Sequence, residues 1–148
     1  MLKNYLLLIS CSQRKVQSDE PLAAMYRYDG PTYRTLRKLY REGRFPDGFL
    51  DVLIISARYG LIQLREPILN YDQRMTAERA DELRPHIQER LKKIMECQQY
   101  DQVFINLGKV YMRTLEGFHW GLVSTLEASG GIGLKTQQMK AWLERLGR

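Results

Sequence analysis

Residues 3–15 read KNYLLLISCSQRK, and the change of character within this stretch decides the fold. Five apolar residues, Tyr5 to Ile9, lie between polar Asn4 and Ser10. A run that short, with nothing polar inside it, fits a strand buried on both faces. The next six residues, SCSQRK (10–15), hold two hydroxyls, a thiol and two cations. The same succession returns three times. DVLII (51–55) runs into SARYG (56–60), QVFI (102–105) into NLGK (106–109), and the weaker LVSTL (122–126) leads to SGGIG (129–133).

Helical segments fill the intervals. Pro31 suits a first helical position before Thr32–Arg41, with Tyr33, Leu36 and Tyr40 as the apolar stripe. Thr76 predicts a helix cap, with Glu78, Asp81 and Glu82 in the first turns. Ala80, Leu83, Ile87, Leu91 and Ile94 then face inward, and Pro85 predicts a kink or a split. Gly108–Gly117 reads as a shorter helix and Thr136–Leu146 as the last, with Met139, Trp142, Leu143 and Leu146 on one face. Strands alternating with helices predict one α/β domain over residues 1–148. Its centre is a mostly parallel sheet of about four or more strands flanked by helices.

Composition agrees. A chain of 148 residues, 44% hydrophobic and 27% charged, belongs among globular domains. Disorder, a collagen-like chain and a disulfide-stapled scaffold are excluded. No apolar run approaches the roughly 20 residues that span a bilayer, so no membrane partner is expected. The run at 5–9 is also shorter than the apolar core of about 7–15 residues in a signal peptide. A cytoplasmic location is expected, with Cys11 and Cys97 as reduced thiols. His86 and His119 are isolated and the two cysteines lie far apart. The sequence therefore offers no metal-ligand spacing and no cofactor motif.

The net charge of +6 is unevenly placed: +5 falls in residues 1–44, −1 in 45–100 and +2 in 101–148. Arg27, Arg34, Arg37, Lys38, Arg41 and Arg44 supply the first excess. On a helix, Arg34, Lys38 and Arg41 share a face, a candidate contact for DNA or RNA phosphates. A solvated helix surface is the equal alternative.

Parallel strands would bring all four polar loops to one edge of the sheet, where open α/β folds bind ligands and helix N-termini present free N–H groups. Ser10, Ser12 and Lys15 are candidates to hold a phosphate there. Cys11, next to cations, is a candidate nucleophile, set against the commoner half-buried structural cysteine. The segment SARYGLIQLREPILNYDQRM (56–75) is too long and polar for a turn, and connections of that length are usually functional or lids. In it, Tyr59 and Tyr71 are candidates to stack on a base, Asp72 to take a proton and Arg74 to hold an anion. GGIGLKT (130–136) is not a phosphate loop, because Leu134 separates the glycine from Lys135. Gly131 still permits a backbone-first approach to a ligand.

Together, LISCSQRK (8–15), YDGPTYRTLRK (28–38), ISARYGLI (55–62) and ILNYDQRM (68–75) resemble the YaaA-like superfamily. That superfamily takes in the YaaA peroxide-stress proteins, small bacterial and phage domains of unknown function, and the catalytic domain of archaeosine synthase. The resemblance implies an α/β fold. It also implies a pocket lined by Ser10, Cys11, Ser12, Lys15, Ser56, Tyr59, Gly60, Tyr71, Asp72 and Arg74, and dealings with nucleic acid or modified bases. Val16-Gln17-Ser18 stands where archaeosine synthase continues Pro-Tyr-Ser, so its lysine-adding chemistry does not carry over. The leading expectation is a small enzyme that binds a nucleotide or nucleobase, in nucleotide cleavage or base modification. The rival is a non-enzymatic DNA-binding protein of stress response or defence. A third reading is a homo-oligomeric interaction module with a vestigial pocket.

Overall fold

The apolar run at 5–9 becomes the middle of the sheet. A computed structural model describes residues 3–146. In chain order it contains β1 (Tyr5–Ser10), β2 (Leu22–Ala23), α1 (Ala24–Arg27), α2 (Pro31–Arg41), β3 (Leu50–Ser56) and β4 (Gly60–Gln63). There follow β5 (Pro67–Ile68), α3 (Ala77–Cys97), β6 (Gln102–Asn106), a 3-10 turn at Tyr111–Leu115, β7 (Ser124–Glu127) and α4 (Ile132–Leu146).

Five strands form one sheet in the order β4-β3-β1-β6-β7. β3, β1, β6 and β7 are parallel, and β4 alone runs antiparallel against β3. The period of two along β1 feeds two cores. Leu7 and Ile9 join Tyr33, Leu36 and Leu39 of α2 with Met139, Trp142 and Leu143 of α4. Leu6 and Leu8 join Leu83, Ile87 and Leu91 of α3 on the other face. Each fully buried aliphatic side chain contributes about 1.5–3 kcal/mol, so the strand with both faces covered is the natural centre. The fold is thus α/β with a mostly parallel, mixed sheet of five strands between helical layers.

Several sequence expectations are corrected. The stripe of α2 is Tyr33, Leu36 and Leu39. Tyr40 is 42% exposed, because its ring packs edge-on against Phe45 at 6.0 Å and under the Arg65 guanidinium at 5.4 Å on the rim. Pro85 does not split α3, which is continuous over 21 residues. Pro85 is exposed, so its ring is turned to the outside of the layer.

The segment expected as a helix at 108–117 is only a 3-10 turn. Arg84 takes the Arg113 carbonyl, and Gln88 takes those of Thr114 and Glu116. Gly117 then turns the chain with φ +78°. The last strand begins two residues later than expected, leaving Leu122 fully exposed. The last helix starts a turn earlier, at Ile132.

The stretch 56–75 is not one long loop. It holds β4, and β5 pairs with β2 as a two-stranded ribbon. Arg27 anchors that ribbon. Completely buried, it donates to the carbonyls of Val16, Ser18, Glu20 and Ile68. A cation counted in the positive excess of residues 1–44 is therefore a structural pin.

Candidate functional site

β1 and β6 are neighbours, yet the chain leaves them toward opposite faces. α2 packs beside α4 after β1, whereas the 3-10 turn packs on α3 after β6. Loops that diverge in this way open a crevice at the carboxyl edge of the sheet. A cleft of about 680 Å³ lies there. Its walls are residues 10–15, the start of α2, the stretch from Asn106 to Tyr111 and the start of α4, with Gln73, Arg74 and Met75 on the rim.

Short hydrogen bonds hold these walls in register. Gly108 N–H donates to Ser10 Oγ at 2.9 Å, and Tyr33 Oη donates to the Ser10 carbonyl at 2.8 Å. Ser12 Oγ donates to the Arg14 carbonyl at 3.0 Å. Gly30 lets α2 approach this loop, since a Cβ there would stand 2.7 Å from Ser12 Oγ. Gly30 also caps α2 without a side chain, and with Pro31 lacking an N–H and Arg34 bonded to the Gly30 carbonyl, the N–H groups of Thr32 and Tyr33 remain available to a ligand. Thr32 Oγ1 and Thr136 Oγ1, 3.4 Å apart, tie the first turn of α2 to the second turn of α4. Two positive helix ends thus meet at one cleft.

Cations reinforce them. Lys135 Nζ donates to the Leu107 carbonyl at 2.7 Å, and Lys15 Nζ to the Gln13 carbonyl at 3.1 Å. Burial pulls the Lys15 pKa below the ordinary lysine value, with the charges of Cys11 and Asp72 acting the other way. Arg74 makes no ion pair among the described residues. Opposing them is Asp29, which gathers Arg37 at 2.6 Å and both Arg34 and Arg14 at 3.4 Å. Hydrogen bonds from Arg34 and Arg37 hold its carboxyl below the usual range.

Cys11 is half-buried in the cleft wall. Its Sγ lies 3.0 Å from Tyr111 Oη and accepts a longer contact from the Ala57 N–H at 3.5 Å. Burial, then the neighbouring Cys11, pushes the Tyr111 hydroxyl well above the ordinary tyrosine value. Tyr111 therefore stays protonated and is suited to donate to the sulfur. Behind Cys11, Tyr28 donates to Ser56 Oγ at 3.1 Å, and Tyr71 Oη lies 2.7 Å from Tyr28 Oη and 3.2 Å from Ser56 Oγ. Three hydroxyls close a ring in which each donates once, and burial raises both tyrosines well above their ordinary pKa.

The structure thus gathers Ser10, Cys11, Ser12, Lys15, Arg34 and Arg74 around one cleft. The other candidates lie elsewhere. Ser56 and Tyr71 belong to the hydroxyl ring, and Lys15 covers the Tyr71 ring at 4.5 Å. Tyr59 donates to the Leu69 carbonyl and packs edge-on against Tyr71. Gly60 makes the turn into β4 at φ +76°. Asp72 is exposed outside the cleft lining, and Gly131 is one residue past the lining Gly130. Lys38 and Arg41 are exposed farther along α2. Sequence reasoning missed Asn106, Tyr111 and Lys135 as cleft residues. The NLGK and GLKT stretches carried signals for the first and last, whereas Tyr111 meets Cys11 only through the fold.

A family model matches residues 6–145. The chain belongs to DUF6884, a family of unknown function. No curated protein matches it significantly. Among solved structures the DUF6884 chain is similar to "Crystal structure of AF0587, a protein of unknown function", with a TM-score of 0.57 and 15% identity. The match covers 96% of this chain and 45% of the other, so the chain spans less than half the length of that neighbour. At that identity the likeness shows a shared fold.

Proposed function

We propose that the cleft binds a nucleotide or related phosphate-bearing ligand and that the protein acts on it, in nucleotide cleavage or base modification. The observation that carries this reading is the meeting of two helix N-termini with Lys15, Arg74 and Lys135 around a cleft whose wall holds a thiol. Helix ends and convergent cations favour phosphate. The volume is of the size that small-molecule ligands occupy, about 300–1,000 Å³. In this reading Ser12, Lys15 and the first turns of α2 and α4 hold the phosphate, and Arg74 closes over it from the rim. Cys11 is the reacting group, with Tyr111 donating to its sulfur as negative charge builds there. Asp72 acts at a distance, through its charge on Lys15. The resemblance to YaaA-like proteins of residues 8–15, 28–38, 55–62 and 68–75 adds support for a nucleic-acid-related substrate.

The test combines a thermal-shift panel of nucleotides and nucleobases with iodoacetamide labelling read by mass spectrometry. At least one nucleotide should raise Tm and protect Cys11, but not exposed Cys97, from alkylation. Cys11→Ser should retain binding and lose turnover by about 100-fold or more. No shift with any nucleotide, or protection unrelated to the ligand, would sink the proposal.

One observation favours the non-enzymatic alternative of DNA binding. Arg34, Lys38 and Arg41 are all exposed along α2. Only Arg34 among them forms an ion pair within the described residues, at 3.4 Å from Asp29.

A further inference from the structure

We propose that Asn106 selects the ligand of the cleft by accepting a hydrogen bond from a hydroxyl or N–H that the ligand carries besides its phosphate. This rests on the nucleotide reading and narrows it to a two-part ligand.

Asn106 is the last residue of β6 and sits beside Ile9 of β1, at the floor where the two strands diverge. It is 7% exposed and lines the cleft. Its only side-chain hydrogen bond among the described residues is a long one, from Nδ2 to Met139 Sδ at 3.5 Å. A thioether accepts weakly and cannot donate, so the amide N–H₂ belongs on that side. Oδ1 then points the other way. It receives no donor from the described residues, and it is not among the sealed, unpartnered atoms, so it opens on the cleft.

Buried carboxamides are almost always hydrogen-bonded on both ends. Once a ligand displaces water from the cleft, an acceptor open on it is matched only by a donor that the ligand brings. The phosphate monoester of a ligand, as a dianion, presents only oxygen lone pairs, which Oδ1 repels, and it is drawn instead to the helix ends and to Lys15 and Lys135. The ligand that satisfies every wall therefore has an anion at one end and a protic group at the other. A site built to meet such a group rejects analogues that lack it, because its own polar atom is left unpaired. Two sources supply that chemistry in a nucleotide, a sugar hydroxyl and a base N–H.

The experiment is calorimetric titration of the parent and of Asn106→Leu. The ligands are inorganic phosphate, ribose 5-phosphate, the common nucleoside monophosphates, their 2′,3′-dideoxy forms and forms N-methylated on the base. The parent should bind at least one nucleotide roughly tenfold or more tighter than phosphate, and Asn106→Leu should erase that margin with phosphate affinity unchanged. In the parent, a loss confined to the dideoxy ligands assigns the donor to the sugar. A loss confined to N-methylated bases assigns it to the base. Should Asn106→Leu fail to fold, the parent alone decides. Affinity unchanged by removing each donor in turn overturns the proposal, as does an intact nucleotide margin in Asn106→Leu. Phosphate binding without any nucleotide preference removes the role of Asn106 and leaves an anion site. Absence of both kinds of binding removes the nucleotide reading as well.

Discussion

Asp29 balances three arginines on one carboxylate at the mouth of the cleft, and this gives it two opposing effects. Its side chain is 23% exposed, against 15% for Arg37, so the closest pair is partly screened from water. The folded carboxyl titrates below its ordinary value of 3.8 because Arg34 and Arg37 hydrogen-bond to its charged form. A depressed carboxyl contributes stability that is present above the unfolded value and is lost as pH falls through the folded one. Asp29→Asn should cost about 1–2 kcal/mol near neutral pH. That difference from the parent should shrink as pH drops below about 3.9, measured by urea unfolding across the acid range. The same substitution releases Arg14 and Arg34 toward the cleft, so phosphate affinity should rise while stability falls. A pH-independent stability difference would show that the arginines are indifferent to the charge.

At the scale of elements, α1 is a four-residue helix whose main product is the position of Arg27. From there the guanidinium reaches carbonyls of residues 16, 18 and 20 and of β5 at Ile68. It thereby fixes the chain that leaves the SCSQRK loop. Arg27→Met keeps the bulk and removes every donor, leaving the buried Ile68 carbonyl and the partly buried carbonyls of Val16, Ser18 and Glu20 unpaired. Charged hydrogen bonds of this kind are worth about 1.5–3 kcal/mol each, partly offset by no longer burying the charge. A loss of about 2–4 kcal/mol is expected, read from the denaturation midpoint, with proteolytic nicking concentrated at 16–20. A loss under about 0.5 kcal/mol, as for ordinary surface positions, would mean that water substitutes for Arg27. This element shows where sequence reading stops. Strands at 5–9, 51–55 and 102–105 were legible because burial on both faces leaves an apolar run, unbroken once past Asp51 and Gln102. Helices at 31–41 and 77–97 were legible from their cap, proline and stripe residues. β4 was not, since Leu61, Ile62 and Gln63 are too few to show a period beside a polar loop. The burial of Arg27 was also hidden, because its partners are backbone carbonyls, which every sequence has.

At the scale of the molecule, the cleft and the outer face of α2 make two different claims on the same positive charge. Much of that charge is already committed in the fold: Arg27 to carbonyls, Arg37 to Asp29 and carbonyls, and Arg44 to Glu144 at 2.6 Å. The carboxyl edge of the sheet was readable from the four polar loops that follow the strands. The cleft's inner residues were less so, since Cys11 and Tyr111 are separated by 100 positions and no local spacing encodes their contact. What remains exposed on α2, Arg34, Lys38 and Arg41, is the part that a duplex would use. Each lysine or arginine on a DNA phosphate adds roughly one to the slope of log affinity against log salt. If α2 binds duplexes, Lys38→Ala with Arg41→Ala should weaken binding to all sequences alike and lower that slope by about two. Nucleotide affinity in the cleft should not change, because neither residue lines it. Arg74→Ala should do the reverse, weakening nucleotides and leaving the duplex slope intact. Duplex affinity that is absent or insensitive to salt in the parent would remove the α2 reading, and the charge would then serve the cleft alone.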